Sequence, residues 1–173
     1  MYKQALYKAA LLLSLLAPWI PLHPGEDSRS LSFFHTHTDE ELAVTYYANG
    51  EYVAEALAKL NHFLRDFRTG DETTMDPPLF DVLYDIQQTA GSTGTYHVIS
   101  GFRSEKTNAM LRQRSGGVAS NSQHLKGKAI DVRLTDLGTA GLRDIALALQ
   151  RGGVGYYSKS DFVHVDTGRV RRW

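Results

Sequence analysis

Two short segments in the second half of the chain alternate apolar and polar residues at a spacing of two, which is the pattern of β-strands. KAIDVRL, residues 128–134, places Asp131 on the face opposite its aliphatic side chains, and FVHVD, residues 162–166, does the same with His164. A carboxylate on a central strand costs several kcal/mol to bury unless it is paired or binds a metal. If the two strands are neighbours, Asp131 and His164 meet on one face of a sheet.

A third polar residue points to the same chemistry. His124 lies in the polar segment SQHLKGKAID, residues 122–131, seven positions before Asp131. Two histidines and one carboxylate form a frequent catalytic zinc set that leaves the fourth position to water. The chain has no cysteine, so His, Asp and Glu are the residues that remain to hold a metal. In the competing interpretation, these polar residues are unrelated surface or core residues. This explains each histidine alone, but it does not explain why both strands carry polar side chains at alternating positions.

Length, composition and charge set the broad class. The chain has 173 residues, of which 42% are hydrophobic, and this suits one globular domain with a real core. Lys plus Arg and Asp plus Glu both number 19, so the formal net charge is zero. This balance gives no electrostatic footprint for nucleic acid or for an anionic membrane. The absence of cysteine excludes a disulfide framework.

The N-terminal segment has a different composition from the rest. Lys3 and Lys8 precede the apolar run AALLLSLLAPWIPL. An export signal has the same order, with a basic region followed by a short apolar region. The run is shorter than the roughly 20 residues of a transmembrane helix. We therefore predict a signal or anchor segment with its linker at residues 1–30 and a folded domain at residues 31–173. An apolar helix that packs on the domain is the alternative.

Hydrophobic spacing predicts the secondary structure. Strands are expected at residues 31–36, 42–47, 96–100, 128–134, 154–157 and 162–166, the first two as a hairpin. Apolar-faced helices are expected at residues 51–68, 79–90 and 139–150, and a polar helix is indicated after Ser104 by a capping-box-like start. The predicted class is α+β, with a mainly antiparallel sheet and three main helices packed on it.

Several motifs together resemble a known family. SQHLKGKAID fits S-x-H-x-x-G-x-A-x-D, DFVH fits an acid-x-x-H pattern, and SGFRS lies upstream. With these motifs the chain resembles the VanX-type zinc D-alanyl-D-alanine peptidases, whose superfamily includes lysostaphin and the Hedgehog signalling domain. The hairpin start and the ending GVGYY…FVHVDTG…RRW resemble most the exported murein endopeptidase branch. The resemblance covers about residues 30–173 and implies a Hedgehog/DD-peptidase-like fold.

The resemblance also implies roles for single residues. Its zinc ligands fall on His124, Asp131 and His164. Asp161 falls on the general base, where many relatives have Glu, and Arg103 in SGFRS falls on the cation that stabilises the developing oxyanion. Ser122 falls on a position that lines the substrate side of the metal. Because Asp161 lies three residues before His164, a regular strand would point them to opposite faces, so the strand must begin after Asp161.

The implied activity is zinc-dependent hydrolysis of peptide bonds in peptidoglycan stem peptides or cross-links that contain D-amino acids. The implied location is the periplasm or cell envelope. Two alternatives stay open: a D,D-carboxypeptidase or dipeptidase of the same family, and a non-catalytic metal-containing module that binds the cell wall.

Four further polar residues have weaker interpretations. Asp166 is either the acceptor that orients a ligand histidine or an acid that caps the turn before Gly168. His97 is interpreted as a core histidine rather than a cleft residue. His35 and His37, two positions apart, suggest a second metal site only weakly, because no carboxylate motif accompanies them.

Overall fold

The computed structural model describes residues 28–114 and 118–173, and these residues form one eight-stranded sheet with four α-helices. The strands are β1 (Arg29–His35), β2 (Glu41–Ala48), β3 (Glu51–Tyr52), β4 (Tyr96–Ser100), β5 (Ala129–Leu134), β6 (Gly153–Tyr157), β7 (Phe162–Asp166) and β8 (Arg171–Arg172). The helices are α1 (Ala54–Phe63), α2 (Pro77–Ala90), α3 (Glu105–Arg114) and α4 (Thr139–Leu149), with a short 3-10 helix at Gln123–Lys126.

The predicted signal or anchor segment falls almost entirely on residues 1–27, which lie outside the described part of the chain. Within the described ranges, no helix is long and apolar enough to cross a membrane.

The sheet is mixed: five of its seven strand pairings are antiparallel and two are parallel, so the expectation of a mainly antiparallel sheet is met in part. Its strand order is β3-β2-β1-β4-β5-β7-β6-β8, and the pairings of β1 with β4 and of β6 with β8 are parallel. The predicted hairpin of β1 and β2 is present. Parallel neighbours require a long crossover connection, and between β1 and β4 the chain passes through β2, β3, α1 and α2. The hydrophobic alternation that identifies a strand does not specify the direction of its neighbour.

The helices differ from the prediction in number and length. The fourth helix is the polar α3, of which only Thr107 and Asn108 are buried, so it lacks the apolar face that marked the other three. Its predicted start is present, because Ser104 Oγ accepts the Thr107 N–H at 3.2 Å. Helix α1 ends at Phe63 rather than near residue 68.

Asp66 explains the early end of α1. Its carboxylate is 1% exposed and accepts the backbone N–H and the hydroxyl of Ser104 at 2.9 and 2.7 Å. These bonds direct the chain after Leu64 away from the helix axis and into a loop. The Asp66 N–H closes this loop by donating to Asp71 O at 2.9 Å. A tertiary contact thus overrides the local helical pattern.

The hydrophobic core lies between one face of the sheet and the apolar faces of α1, α2 and α4. Ile130 and Val132 of β5 enter this core and are fully buried. Because strand side chains alternate, Asp131 between them points to the other face of the sheet. The same alternation in β7 sends Val163 and Val165 into the core and leaves His164 on the face that carries Asp131.

Candidate metal centre and active-site cleft

The structure brings His124, Asp131 and His164 together. The antiparallel register of β5 and β7 sets Asp131 opposite His164, and His164 Nδ1 lies 2.9 Å from Asp131 Oδ1. His124 Nε2 lies 3.2 Å from the same carboxylate oxygen and 3.1 Å from His164 Nδ1. All three side chains are buried, and among the described residues they form the one group of donor atoms that could hold a metal ion.

The 3-10 helix positions His124. Ser122 stands before the first residue of this helix, and its Oγ accepts the His124 N–H at 3.3 Å. Gly127 ends the helix in the left-handed conformation at φ 65°, where a Cβ would lie 2.5 Å from the carbonyl oxygen of Thr74. Glycine is required at this position on both counts. Ser122 therefore holds a metal-ligand candidate in place, and its side chain also lines the cleft described below.

The outer nitrogens of the two imidazoles determine which atoms face the centre. His124 Nδ1 lies 2.6 Å from Gly101 O, and because a carbonyl oxygen can only accept, Nδ1 carries the hydrogen. His164 Nε2 donates in the same way to Asp166 Oδ2 at 2.8 Å. In its neutral form, each ring with its hydrogen on the outer nitrogen turns a lone pair inward. The inner separations of 2.9–3.2 Å approach the roughly 3.3 Å between ligands in a tetrahedral zinc site, so the residues fit a zinc ion.

Charge states in the centre also suit a divalent cation. Burial lowers the pKa of His124 and favours its neutral form. Burial alone would raise the pKa of Asp131, but the adjacent imidazoles of His124 and His164 hold that pKa well below its usual range. Burial acts to lower the pKa of His164, and hydrogen bonds to Asp131 and Asp166 outweigh it, so this pKa is raised.

Asp166 makes both of the interactions considered for it from sequence. It is completely buried; besides accepting from His164, it caps the turn by accepting the Gly168 N–H at 2.8 Å. Arg171 donates to both of its oxygens at 3.0 and 2.6 Å, and Gly153 N–H adds a bond of 3.2 Å. Burial would raise the pKa of Asp166, but His164 and Arg171 hold it far below its ordinary value. An ionised Asp166 fixes the orientation of the His164 ring.

Arg103 lies beside the centre but is engaged by a ligand candidate. Its Nη2 donates to Asp131 Oδ2, the oxygen that does not face the imidazoles, and its Nε donates to Ser100 Oγ at 2.8 Å. The guanidinium also lines the cleft. The observed role of Arg103 is to orient Asp131, and its predicted role toward an oxyanion stays a prediction.

Asp161 is not brought to the centre. As expected, β7 begins only after this residue, which has a left-handed φ of 51°. Its side chain is 64% exposed, accepts the Thr139 hydroxyl at 2.8 Å and lies 3.6 Å from Arg133 Nε. Asp161 is not among the residues that line the cleft. The acid-x-x-H spacing locates the acid next to the strand but does not decide the direction of its side chain, and the left-handed turn directs this one toward α4.

A cleft of about 530 Å³ opens beside the three converging side chains. Its aromatic lining is Tyr157, Phe162 and Trp173. The rings of Tyr157 and Phe162 stack at 4.5 Å, and the Trp173 ring lies 5.1 Å from that of His164. Its cationic lining is Arg68, Arg103 and Arg171, and the imidazole of His37 also lines it. Sequence reasoning did not single out Arg68, because no local pattern indicates that this loop reaches the cleft.

The weaker sequence interpretations are resolved by packing. His35 is fully buried and edge-on to the rings of Phe63 and Phe67. Its Nδ1 lies 3.3 Å from the His37 N–H, and no carboxylate among the described residues joins the pair to form a metal group. His97 packs against Phe34 at a ring distance of 5.1 Å and does not line the cleft.

Comparison with known proteins gives a consistent result. The sequence profile of the family described as peptidoglycan L,D-endopeptidase MepK matches residues 23–173. The peptidoglycan L,D-endopeptidases MepK of Escherichia coli K12 and of Shigella flexneri are each 44% identical over 145 residues, which cover 84% of this chain and 80% of the relative. The probable peptidoglycan L,D-endopeptidase MepK of Haemophilus influenzae is 44% identical over 146 residues, covering 84% of this chain and 78% of the relative.

Proposed function

The chain belongs to the peptidase family described as peptidoglycan L,D-endopeptidase MepK, and from this membership we propose that it is a zinc-dependent endopeptidase of L,D-linked peptide cross-links in bacterial peptidoglycan. The membership confirms the murein endopeptidase branch inferred from sequence. The observation that carries the metal dependence is the convergence of two buried imidazoles and one buried carboxylate at the end of an open cleft.

His124, Asp131 and His164 are the proposed zinc ligands. Held by these three residues, a zinc ion would supply a water molecule whose pKa is lowered toward about 7 and would polarise the scissile carbonyl. The protein supplies the orientation: Gly101 O fixes His124, Asp166 fixes His164, and Arg103 fixes Asp131. Arg103 is the proposed cation for the negative charge that develops on the carbonyl oxygen, since a guanidinium stays charged at every working pH and has donors beyond the two used here.

Ser122 is proposed to contact the substrate backbone while it caps the 3-10 helix. Its hydroxyl oxygen accepts from His124 N–H, which leaves the hydroxyl hydrogen to donate toward a peptide carbonyl in the cleft. The aromatic lining beside His164 excludes water from one side of the bound peptide. Export to the periplasm or cell envelope is part of the proposal, because that is where the substrate lies and because the N-terminal residues have the order of an export signal.

Digestion of purified murein sacculi tests this function. We expect the zinc-loaded protein to deplete L,D-linked muropeptide dimers, to leave D,D-linked dimers intact, and to lose this activity on treatment with a chelator. Mass spectrometry of the released fragments identifies the bond. Stem peptides shortened by one residue, with the dimers unchanged, would indicate a carboxypeptidase; protein that sediments with sacculi but changes no fragment would indicate a binding module.

Substitution of Asp161 tests the general-base role that the family resemblance implies for this residue. Because its carboxylate bonds to Thr139 and faces Arg133 outside the cleft, we expect Asp161→Asn to change kcat by less than about threefold. A base that takes the proton of the attacking water contributes about 100- to 10,000-fold. A kcat loss of 100-fold or more, with the zinc content unchanged, would show that Asp161 turns into the cleft during catalysis and acts as the base.

A further inference from the structure

Arg68 is a cleft arginine that has no carboxylate partner in the described ranges. Arg103 pairs with Asp131 and Arg171 pairs with Asp166, so the charge of each is balanced within the site. No ion pair joins Arg68 to an acid among residues 28–114 and 118–173, although its side chain lines the same cleft. The chain as a whole is neutral, so an arginine without an ion-pair partner is a local feature of the cleft.

The loop that carries Arg68 is held rigidly. The Arg68 N–H donates to Asp66 Oδ1 at 3.0 Å, while the other oxygen of Asp66 accepts the two bonds from Ser104. Thr69 N–H and Gly70 N–H both donate to Asp66 O, at 3.1 and 2.7 Å. The Asp66 carboxylate is therefore committed to the backbone and to Ser104, and it forms no ion pair with the Arg68 guanidinium, although its negative charge lies near enough to act on Arg68. A cation fixed in this way loses little conformational freedom when it binds a ligand.

Stacking orients the guanidinium itself. Its central carbon lies 4.0 Å from the centre of the Phe67 ring, and the His37 ring stacks on Phe67 at 4.2 Å with an angle of 14° between the planes. A guanidinium carries its N–H donors in its plane and at its edges, so contact of its face with an aromatic ring leaves those donors available. We call this group the His37–Phe67–Arg68 stack.

The chemistry of such a group selects its ligand. A planar guanidinium with available edges binds a carboxylate through two parallel hydrogen bonds. Cell-wall stem peptides carry free carboxylates, and the bound metal would add further positive charge to the cleft. We propose that the His37–Phe67–Arg68 stack is a subsite at which Arg68 binds a carboxylate of the substrate peptide. This inference rests on the proposed function, since it takes the occupant of the cleft to be a cell-wall peptide.

Substitution of Arg68 combined with amidation of the substrate tests the subsite. The probes are a stem-peptide dimer with an L,D cross-link and the same dimer with its carboxylates converted to primary amides. For the free-acid dimer, we expect Arg68→Gln to weaken binding measured by titration calorimetry, and to lower kcat/KM, by about 10- to 100-fold with kcat nearly unchanged. For the amidated dimer, we expect Arg68→Gln to equal the wild type.

Two further variants control for charge and for geometry. Arg68→Lys keeps the charge but not the planar pair of donors, so we expect an intermediate loss. Arg112→Gln removes the same charge from an exposed position on α3 that does not line the cleft, and we expect it to match the wild type on both dimers.

The outcomes separate the subsite from the proposed function. Equal losses on the free-acid and amidated dimers, or no loss on either, would overturn the subsite. If the wild type cleaves neither dimer, the proposed function fails, and the calorimetric comparison still decides the subsite: a loss of affinity in Arg68→Gln confined to the free acid supports it, and its absence overturns it.

Discussion

His124→Ala abolishes peptidoglycan hydrolysis and stoichiometric zinc binding together: this is the largest effect that we expect from any single substitution. His124 Nε2 is one of three inward-facing donor atoms, and the other two lie 3.1 and 3.2 Å away. An alanine leaves a two-donor site, and without the polarisation by the metal, which is worth several kcal/mol in the transition state, we expect kcat/KM to fall by more than about 1,000-fold.

The measurements are zinc content by elemental analysis and dimer cleavage by chromatography. His124 is buried, so His124→Gln, which keeps much of the side-chain volume, and a thermal melt in the absence of metal separate loss of zinc from loss of fold. His62→Ala is the control, because His62 is an exposed histidine that pairs with Glu72 away from the cleft. A variant without zinc that still cleaves dimers would contradict the metal mechanism, and so would an inactive variant that retains one zinc per chain.

Asp166→Ala is expected to weaken zinc binding and to destabilise the fold. The substitution removes the acceptor of His164 Nε2, so the imidazole ring can rotate and its hydrogen is no longer fixed on Nε2. Loss of a hydrogen-bond partner behind a metal ligand typically lowers metal affinity by 10- to 100-fold. It also leaves Arg171 without its carboxylate and the Gly153 and Gly168 N–H groups without an acceptor. Removal of one partner of a buried pair costs roughly 3–5 kcal/mol, and because Arg171 is partly exposed we expect about 2–4 kcal/mol.

Urea denaturation and chelator competition measure the two effects of Asp166→Ala. The folded-state pKa of Asp166 lies below its ordinary value of 3.8, so the stabilisation is complete above about pH 5 and decreases as the pH falls toward the lowered pKa. The stability difference between variant and wild type should therefore shrink in acid. Asp144→Ala removes an exposed acid that pairs with the neighbouring Arg143, and this variant should stay within about 0.5 kcal/mol of the wild type. Wild-type zinc affinity in Asp166→Ala would refute the positioning role.

Most of the elements and the identity of the three metal-ligand candidates follow from the sequence because they depend on local periodicity and short motifs, whereas the convergence of the three side chains requires the pairing of β5 with β7. Alternation in β5 and β7 separates Asp131 and His164 from the core face, and the polar segment before β5 places His124 near the same strand end. Local periodicity did not reveal that α1 stops at Phe63, because that end depends on the contact of Asp66 with Ser104. It also did not reveal α3 as a main helix, since α3 has almost no apolar face.

In the candidate site, too, local sequence patterns identified some residues, and tertiary contacts determined the position of others. A spacing pattern specifies which residue types occur and in what order, and it was sufficient to identify the metal-ligand candidates. It does not specify side-chain direction at a turn, which is why Asp161 was expected at the centre but faces Thr139 and Arg133. Nor does it indicate a residue such as Arg68, whose position in the cleft depends on a loop that is far from the ligand motif in sequence.

By itself, the sequence determined the six longer strands, the family resemblance and the metal-ligand candidates, because each of these is encoded in short local patterns; it missed β3 and β8, which have two residues each. Only the tertiary structure decided the parallel pairings in the sheet, the engagement of Arg103 with Asp131, the anchoring of His164 by Asp166 and Arg171, and the outward direction of Asp161. These features depend on contacts between residues that are distant in the chain, and the free energy of such contacts is set by burial and charge in the folded state rather than by local propensity.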